Sequence, residues 1–432
     1  MTRNLALFAG LAVLFVLTGV FQSWNLSLSI LNMGLLSAVM AMGVNMQWGY
    51  AGLFNTGIMG FVALGGLAVV LVSAKPVPAG WNAGGPGILL ALFLGAATIA
   101  AAVYLYRRMP KGRTRSLTML AVLVGGFFLY RAVFDPAVLA VESNSPQNAG
   151  NIGGLGLPSL LAWPMGGLLA AAAAWAIGKT ALGLRSDYLA IATLGIAEII
   201  VAVIRNEDWM ARGVKNLTEL PRPFPVPYEV DLQQTAGFLN WTASIGADPV
   251  TASSITVKLM YAGLFGLVLA AVIWLSERAL NSPWGRMMRA IRDNEVSAEA
   301  MGKDVTRRHL QVFILGSAVV GVAGAMLTSM EGQLTPGGYS PLRYTFLIWV
   351  MVIVGGSGNN WGSILGALLI GWLWLIVETV GPGVMGMITA GLPEGSLKSH
   401  LVDSAQHMRL LSLGVILLLV LRFSPRGLIP EK

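Results

Sequence analysis

From Asn4 to Ala74 the chain carries no Asp, Glu, Lys, Arg or His, and further uncharged apolar runs recur along the rest of the sequence. Several exceed the roughly 20 residues that take a helix across a bilayer. Only helices or closed barrels satisfy the backbone in lipid, and long apolar runs without strict alternation predict helices. The runs give approximate spans of 5–22, 27–47, 57–74, 86–106, 116–134, 158–178, 186–204, 255–276, 310–330, 342–355, 361–378 and 409–422. The expected fold is an all-α polytopic membrane protein, a single transmembrane domain over 1–432 with about 10–12 transmembrane or re-entrant helices. Gly355, Gly356, Gly358, Asn359 and Asn360 interrupt one long uncharged run, so 342–378 reads as a broken or re-entrant pair.

The longest charged run, Arg278 to His309, lies between two spans and has helical spacing. Met287, Ile291, Ala298 and Met301 fall close to one stripe, whereas Arg289, Arg292, Glu295 and Glu299 fall largely off it. Gly302 supplies a helix stop and Asp304 a cap for the next helix. Such a loop is either a solvated connector at the headgroups or a surface that touches a partner. The 205–254 loop carries Pro221, Pro223, Pro225 and Pro227 without a sustained helical period, which predicts an ordered or semi-extended external cap. Residues 135–157 read as a second external loop. The run 76–131, two apolar segments around a basic turn, reads as an inserted membrane hairpin.

Charge fixes an orientation. With the N-terminus cytoplasmic, five basic residues and no acid between Arg107 and Arg115 fall on the cytoplasmic side. Lys179 to Arg185, the 278–309 loop and the tail with Arg422 and Arg426 fall there too, while the acid-rich 205–254 loop falls outside. Ten crossings would leave the ends in the same place.

A composition of 55% hydrophobic and 11% charged residues with 53 glycines excludes a soluble globular protein. The basic residues sit in short loops beside apolar segments, so the pI near 9.8 argues positive-inside bias rather than nucleic acid. Residues 1–24 lack a clear cleavage site and read as a retained first helix. The chain has no cysteine, and His309, His400 and His407 are its only histidines, with no spacing suited to a metal. Gly178-Lys179-Thr180 resembles the end of a phosphate loop, but Ala173 stands where that motif needs glycine. No enzyme, cofactor or metal site is expected. Glycines such as Gly60, Gly65, Gly66, Gly321, Gly324, Gly362 and Gly366 predict close helix packing.

Five intramembrane polar residues are path candidates. Glu198 sits well inside its span, where an ionised group costs on the order of 2.5–3.5 kcal/mol, so it lines a polar path or bonds to another helix. Asn45, Asn55, Asn359 and Asn360 flank glycine-rich breaks, where they bind polar solutes or cap broken helices.

Taken together, Gly285-Arg286, Arg289-Ala290-Ile291-Arg292-Asp293-Asn294-Glu295 and Ala298, Ala300-Met301-Gly302 resemble the cytoplasmic loop of permease subunits from bacterial ABC importers. The resemblance is strongest to the branched-chain amino acid permeases. It extends to Asp187-Tyr188-Leu189-Ala190-Ile191, Thr193-Leu194-Gly195, Gly355-Gly356 with Gly358, Gly362 and Gly366-Ala367, and Pro425-Arg426-Gly427-Leu428. It covers roughly 1–74, 155–378 and the final tail, departing at the 76–131 hairpin, the proline-rich 205–254 loop and the long 379–408 stretch. The resemblance implies a path for branched-chain or other hydrophobic amino acids in a bacterial inner membrane. It also implies a second permease subunit, ATPase subunits that use ATP, and a periplasmic solute-binding protein. The 286–302 helix would be the coupling helix, with Arg289, Arg292, Asn294, Glu295, Ala298, Glu299 and Gly302 facing the ATPase. Relatives with similar loops carry urea, amides or small carboxylates. An ion-driven secondary transporter is the rival class, since it too uses broken helices and buried carboxylates.

Overall fold

A computed structural model describes residues 2–144, 150–391 and 395–431. Its helices are α1 (Thr2–Phe21), α2 (Trp24–Ala51), α3 (Ile58–Ser73), α4 (Pro78–Arg108), α5 (Arg113–Ser143), α6 (Ser159–Ala181), α7 (Ser186–Asn206), α8 (Asp208–Ala211), α9 (Glu229–Gln234) and α10 (Ala236–Ser244). They continue with α11 (Pro249–Leu280), α12 (Pro283–Asp293), α13 (Glu295–Ala300), α14 (Val305–Glu331), α15 (Leu347–Gly355), α16 (Asn360–Ile388), α17 (Ser396–Asp403) and α18 (Met408–Phe423). Among the described residues nine helices are long and apolar enough to cross a membrane, or ten if the bent α17–α18 pair is one span. The shorter α3, and α15 with the π-helical turn Leu342–Phe346 before it, add two apolar segments.

The core forms where α14 packs against α2, α3 and α6, and α2 against α11 and α16. Lipid offers no hydrophobic drive between helices, so close approach of backbones supplies the dispersion contact. A Cβ on Gly65 would lie 2.0 Å from the Gly321 carbonyl, and one on Gly324 would lie 2.1 Å from the Val62 carbonyl. Gly366 abuts Met351 in the same way, at 2.0 Å. The predicted glycine packing is therefore what joins α3 to α14 and α15 to α16.

The described residues define two ends. At one, Arg3 donates to the Leu428 carbonyl at 3.3 Å, and Arg292 pairs with Glu431 at 2.8 Å, bringing the first helix, the 283–300 loop and 424–431 together. At the other, Leu217 and Leu334 exchange backbone hydrogen bonds of 3.1 and 2.8 Å, and Ile152 donates to the Trp209 carbonyl at 3.0 Å.

Several expected boundaries move. The 205–254 loop holds helices α8, α9 and α10 and the first turn of α11, with the proline-rich stretch between α8 and α9 non-helical. Its helices are too short to display a period in the sequence. Residues 135–143 are the end of α5, which runs through Pro136, and 145–149 of the expected second loop lie outside the described residues. The 76–131 run corresponds to α4 and most of α5, which pack on each other around Ile88, Ala91, Phe134 and Val141, with Ile152 and Trp209 joining them to the body. Within 379–408, α16 continues to Ile388 and α17 follows.

Candidate functional site

The 283–300 loop is two helices, not the one expected. Asn294 adopts an extended backbone (φ −157°, ψ 98°) and its Oδ1 accepts from the Ser297 amide at 2.9 Å, so it caps α13 and breaks the run after Asp293. Asparagine at an N-cap competes with the helix for its own backbone, which the apolar period alone does not report. The expected apolar stripe divides accordingly: Ile291 is buried and Met287 half-buried, whereas Met301, beyond α13, is 79% exposed. Gly302 takes the left-handed φ of +75°, and Asp304 Oδ1 accepts from the Arg307 amide at 2.9 Å. The predicted stop and cap stand.

One side of this loop is locked to the body. Met288 and Ile291 are fully buried, and Trp284 Nε1 donates to Gln311 Oε1 at 3.2 Å. Arg292 donates to the Gly49 carbonyl at the end of α2 and to Glu431 Oε2 at 2.8 Å. Burial works against its charge, but Glu431 and Asp293 outweigh that and hold its pKa above the ordinary arginine value. Arg292 thus points into the subunit rather than outward. Arg289 and Ala298 are half-buried, and Asn294 spends its side chain on the cap. Glu295, Glu299 and Gly302 are exposed beside Val296, which is 77% exposed.

Directly under the loop lies the break between α15 and α16. Asn45 Oδ1 accepts from the Gly358 amide at 2.8 Å, and its Nδ2 donates to Asn360 Oδ1 at 3.3 Å. Tyr50 donates to the same Asn360 oxygen at 2.8 Å, and Asn360 Nδ2 donates to Glu277 Oε1 at 2.8 Å. Asn359 caps α16, its Oδ1 accepting from Trp361 and Gly362, while its Nδ2 donates to the Pro430 carbonyl at 3.2 Å. Asn55 serves the neighbouring break between α2 and α3. It donates to Gln47 Oε1 at 2.8 Å, accepts from the Gly57 amide, and its carbonyl accepts from Trp349 Nε1 at 3.0 Å. All four asparagines are engaged by protein groups, which favours capping over lining a path within this subunit. Tyr50, Gln47, Glu277, Trp349 and Glu431 complete the network. Their neighbours in sequence carry no sign of these partners.

Glu198 stands apart from this junction. On α7, Leu189, Ala190, Thr193, Ala197, Val201 and Ile204 are buried, with Gly60 of α3 against Ala197. Tyr188, Ile191, Gly195, Glu198 and Ala202 recur at helical spacing on the exposed side. The expected carboxylate in the middle of a span therefore faces away from its own subunit.

These features define an all-α, multi-span membrane protein with a half-anchored loop at one end. The chain belongs to the family described as branched-chain amino acid transport system / permease component, which matches residues 137–421. That span takes in the 379–408 stretch that the sequence set apart, and leaves out 1–74. Similar proteins include the high-affinity branched-chain amino acid transport system permease proteins LivM of Salmonella typhimurium and Escherichia coli. Both are 27% identical, over 277 and 282 residues, covering 64% of this chain and 58% of each relative. The probable branched-chain amino acid transport permease protein LivM of Methanocaldococcus jannaschii is 31% identical over 168 residues, covering 38% of this chain and 45% of that one. The chain thus spans about half the length of these relatives. No solved structure matches it.

Proposed function

We propose that this chain is the permease subunit of an ATP-binding-cassette importer in an inner membrane, moving leucine, isoleucine, valine or other hydrophobic amino acids. The substrate class rests on family membership and on the names of the relatives. The observation that carries the mechanism is the division of the 283–300 loop. Met288, Ile291 and Arg292 hold one side to the helix bundle, while Glu295, Val296, Glu299 and Met301 remain open at the other. A loop built this way is a lever: an ATPase subunit grips the open side, and the anchored side passes its closure to the bundle, which reopens on the opposite face. The basic loops and both termini lie with the ATPase in the cytoplasm, and the α8–α10 cap faces the periplasm, where a solute-binding protein docks.

Glu198 supports a second permease subunit. A carboxylate in mid-span that faces outward is expensive against lipid, so the exposed stripe of α7 meets protein or water. We place the translocation path between this stripe and a second subunit.

Purification from mild detergent tests the reading. The wild-type chain is expected to retain an ATPase, and E295K/E299K to lose most of it while still inserting and remaining monodisperse. Undiminished recovery of the ATPase with the charge-reversed loop would remove the lever from the mechanism.

A further inference from the structure

The residues after α18 bond to several parts of the bundle. After α18, the Gly427 amide donates to the Ser424 carbonyl at 2.8 Å and Ser424 Oγ donates to the Gly427 carbonyl at 2.7 Å, closing a tight turn. Gly427 is left-handed (φ +80°), and a Cβ there would lie 2.3 Å from the Gly356 Cα. The Leu428 amide then donates to the Val354 carbonyl at 2.9 Å and the Ile429 amide to the Gly355 carbonyl at 2.8 Å. These are carbonyls that the end of α15 leaves without intrahelical partners. Asn359, the cap of α16, donates to the Pro430 carbonyl. The segment therefore bonds to both sides of the α15–α16 break, and its Glu431 reaches Arg292 on α12, which also bonds to the end of α2.

We propose that residues 424–431 are a strap that transmits movement of the 283–300 loop to the α15–α16 break, with Glu431 as its positioning residue. Arg292 and Glu431 lie far apart in the chain, and their ion pair ties α12 to the strap, beside a second route to the break through Gly49 and Asn45 of α2. A loop pulled by an ATPase would move Arg292, and Arg292 is fastened on one side to α2 and on the other to the strap. Displacing the strap removes the partners of the Val354 and Gly355 carbonyls and of the Asn359 side chain together, so the break changes as a unit. A mere clamp would stabilise the fold without tying solute movement to hydrolysis.

The inference rests on the reading of 283–300 as the ATPase-docking loop, and the experiment separates the two. The whole complex, the chain with its ATPase and second permease subunit, is placed in vesicles with the solute-binding protein supplied and assayed for leucine uptake and ATP hydrolysis in parallel. With E431Q the ATPase stays bound, and uptake per ATP hydrolysed falls roughly 2- to 30-fold, the range of coupling changes made by single residues. E431D, which keeps the charge, restores most of that ratio. An E431Q complex that retains the ATPase and an unchanged ratio overturns the strap alone. Loss of the ATPase from E431Q makes Glu431 part of the docking surface and also overturns it. A wild-type chain that retains no ATPase overturns the docking reading and the strap with it. G427A, whose Cβ meets Gly356, gives a second way to displace the segment and is expected to lower the same ratio.

Discussion

Arg292 and Glu198 are charged groups placed in opposite ways, one turned into the subunit and one turned out of it. Arg292 turns inward to the Gly49 carbonyl and Glu431, so its charge is compensated within the subunit. Glu198 has no comparable setting on its own subunit and presents its carboxylate on the exposed stripe of α7. Glu198→Gln is therefore expected to alter uptake rate or solute preference while leaving the amount of assembled protein unchanged. A variant that loses assembly instead, seen by size-exclusion profile, would make Glu198 a packing residue. Asn360 is the contrasting case. Its truncation to alanine strands Tyr50, Glu277 and Asn45, and unsatisfied buried polar groups cost about 1–3 kcal/mol each. Asn360→Ala should lower the thermal midpoint in detergent, read by fluorescence, before any effect on solute is considered.

At the scale of elements, glycine decides which helices meet. A Cβ on Gly65 would strike the Gly321 carbonyl, and backbone has no flexible end to move away. Gly65→Ala should force α3 from α14 and destabilise the bundle by about 1–3 kcal/mol, the usual cost of overpacking. The same substitution at Gly195 or Gly302 meets open space. Gly195→Ala is expected to be silent for stability, and Gly302→Ala to be strained by its left-handed φ, affecting the 283–300 loop rather than the bundle. A thermal midpoint for each of the three variants ranks them. Element existence was legible in the sequence because an uncharged run of sufficient length has few alternatives in lipid. The loops were less legible. The helices α9 and α10 are too short for a period, and the 283–300 loop divided at Asn294, whose capping bond overrode the apolar spacing on either side.

For the molecule as a whole, the second permease subunit proposed above is tested at the exposed stripe of α7. A photo-reactive residue at Ile191 or Gly195 should cross-link to a second permease subunit in membranes. One at Leu92 or Phe93, on the outward side of the α4–α5 hairpin, should label mainly lipid. The chain has no cysteine, so single-cysteine variants give an independent check by accessibility, with position 195 reactive to a water-soluble reagent during turnover. Labelling of position 195 by lipid alone would move the path away from α7.

The sequence by itself determined the membrane class, the positions of the long apolar helices and the glycine-rich packing. Each of these follows from local composition: the length of an uncharged run and the size of a side chain. It also carried the resemblance that the family match bears out. Only the tertiary structure decided where polar side chains point. Asn45, Asn360, Tyr50 and Glu277 come from three helices, and Arg292 and Glu431 lie far apart in the chain. A buried hydrogen bond depends on which backbone or side chain arrives opposite, and that is fixed by helix packing, of which a single residue's neighbours in sequence hold no record.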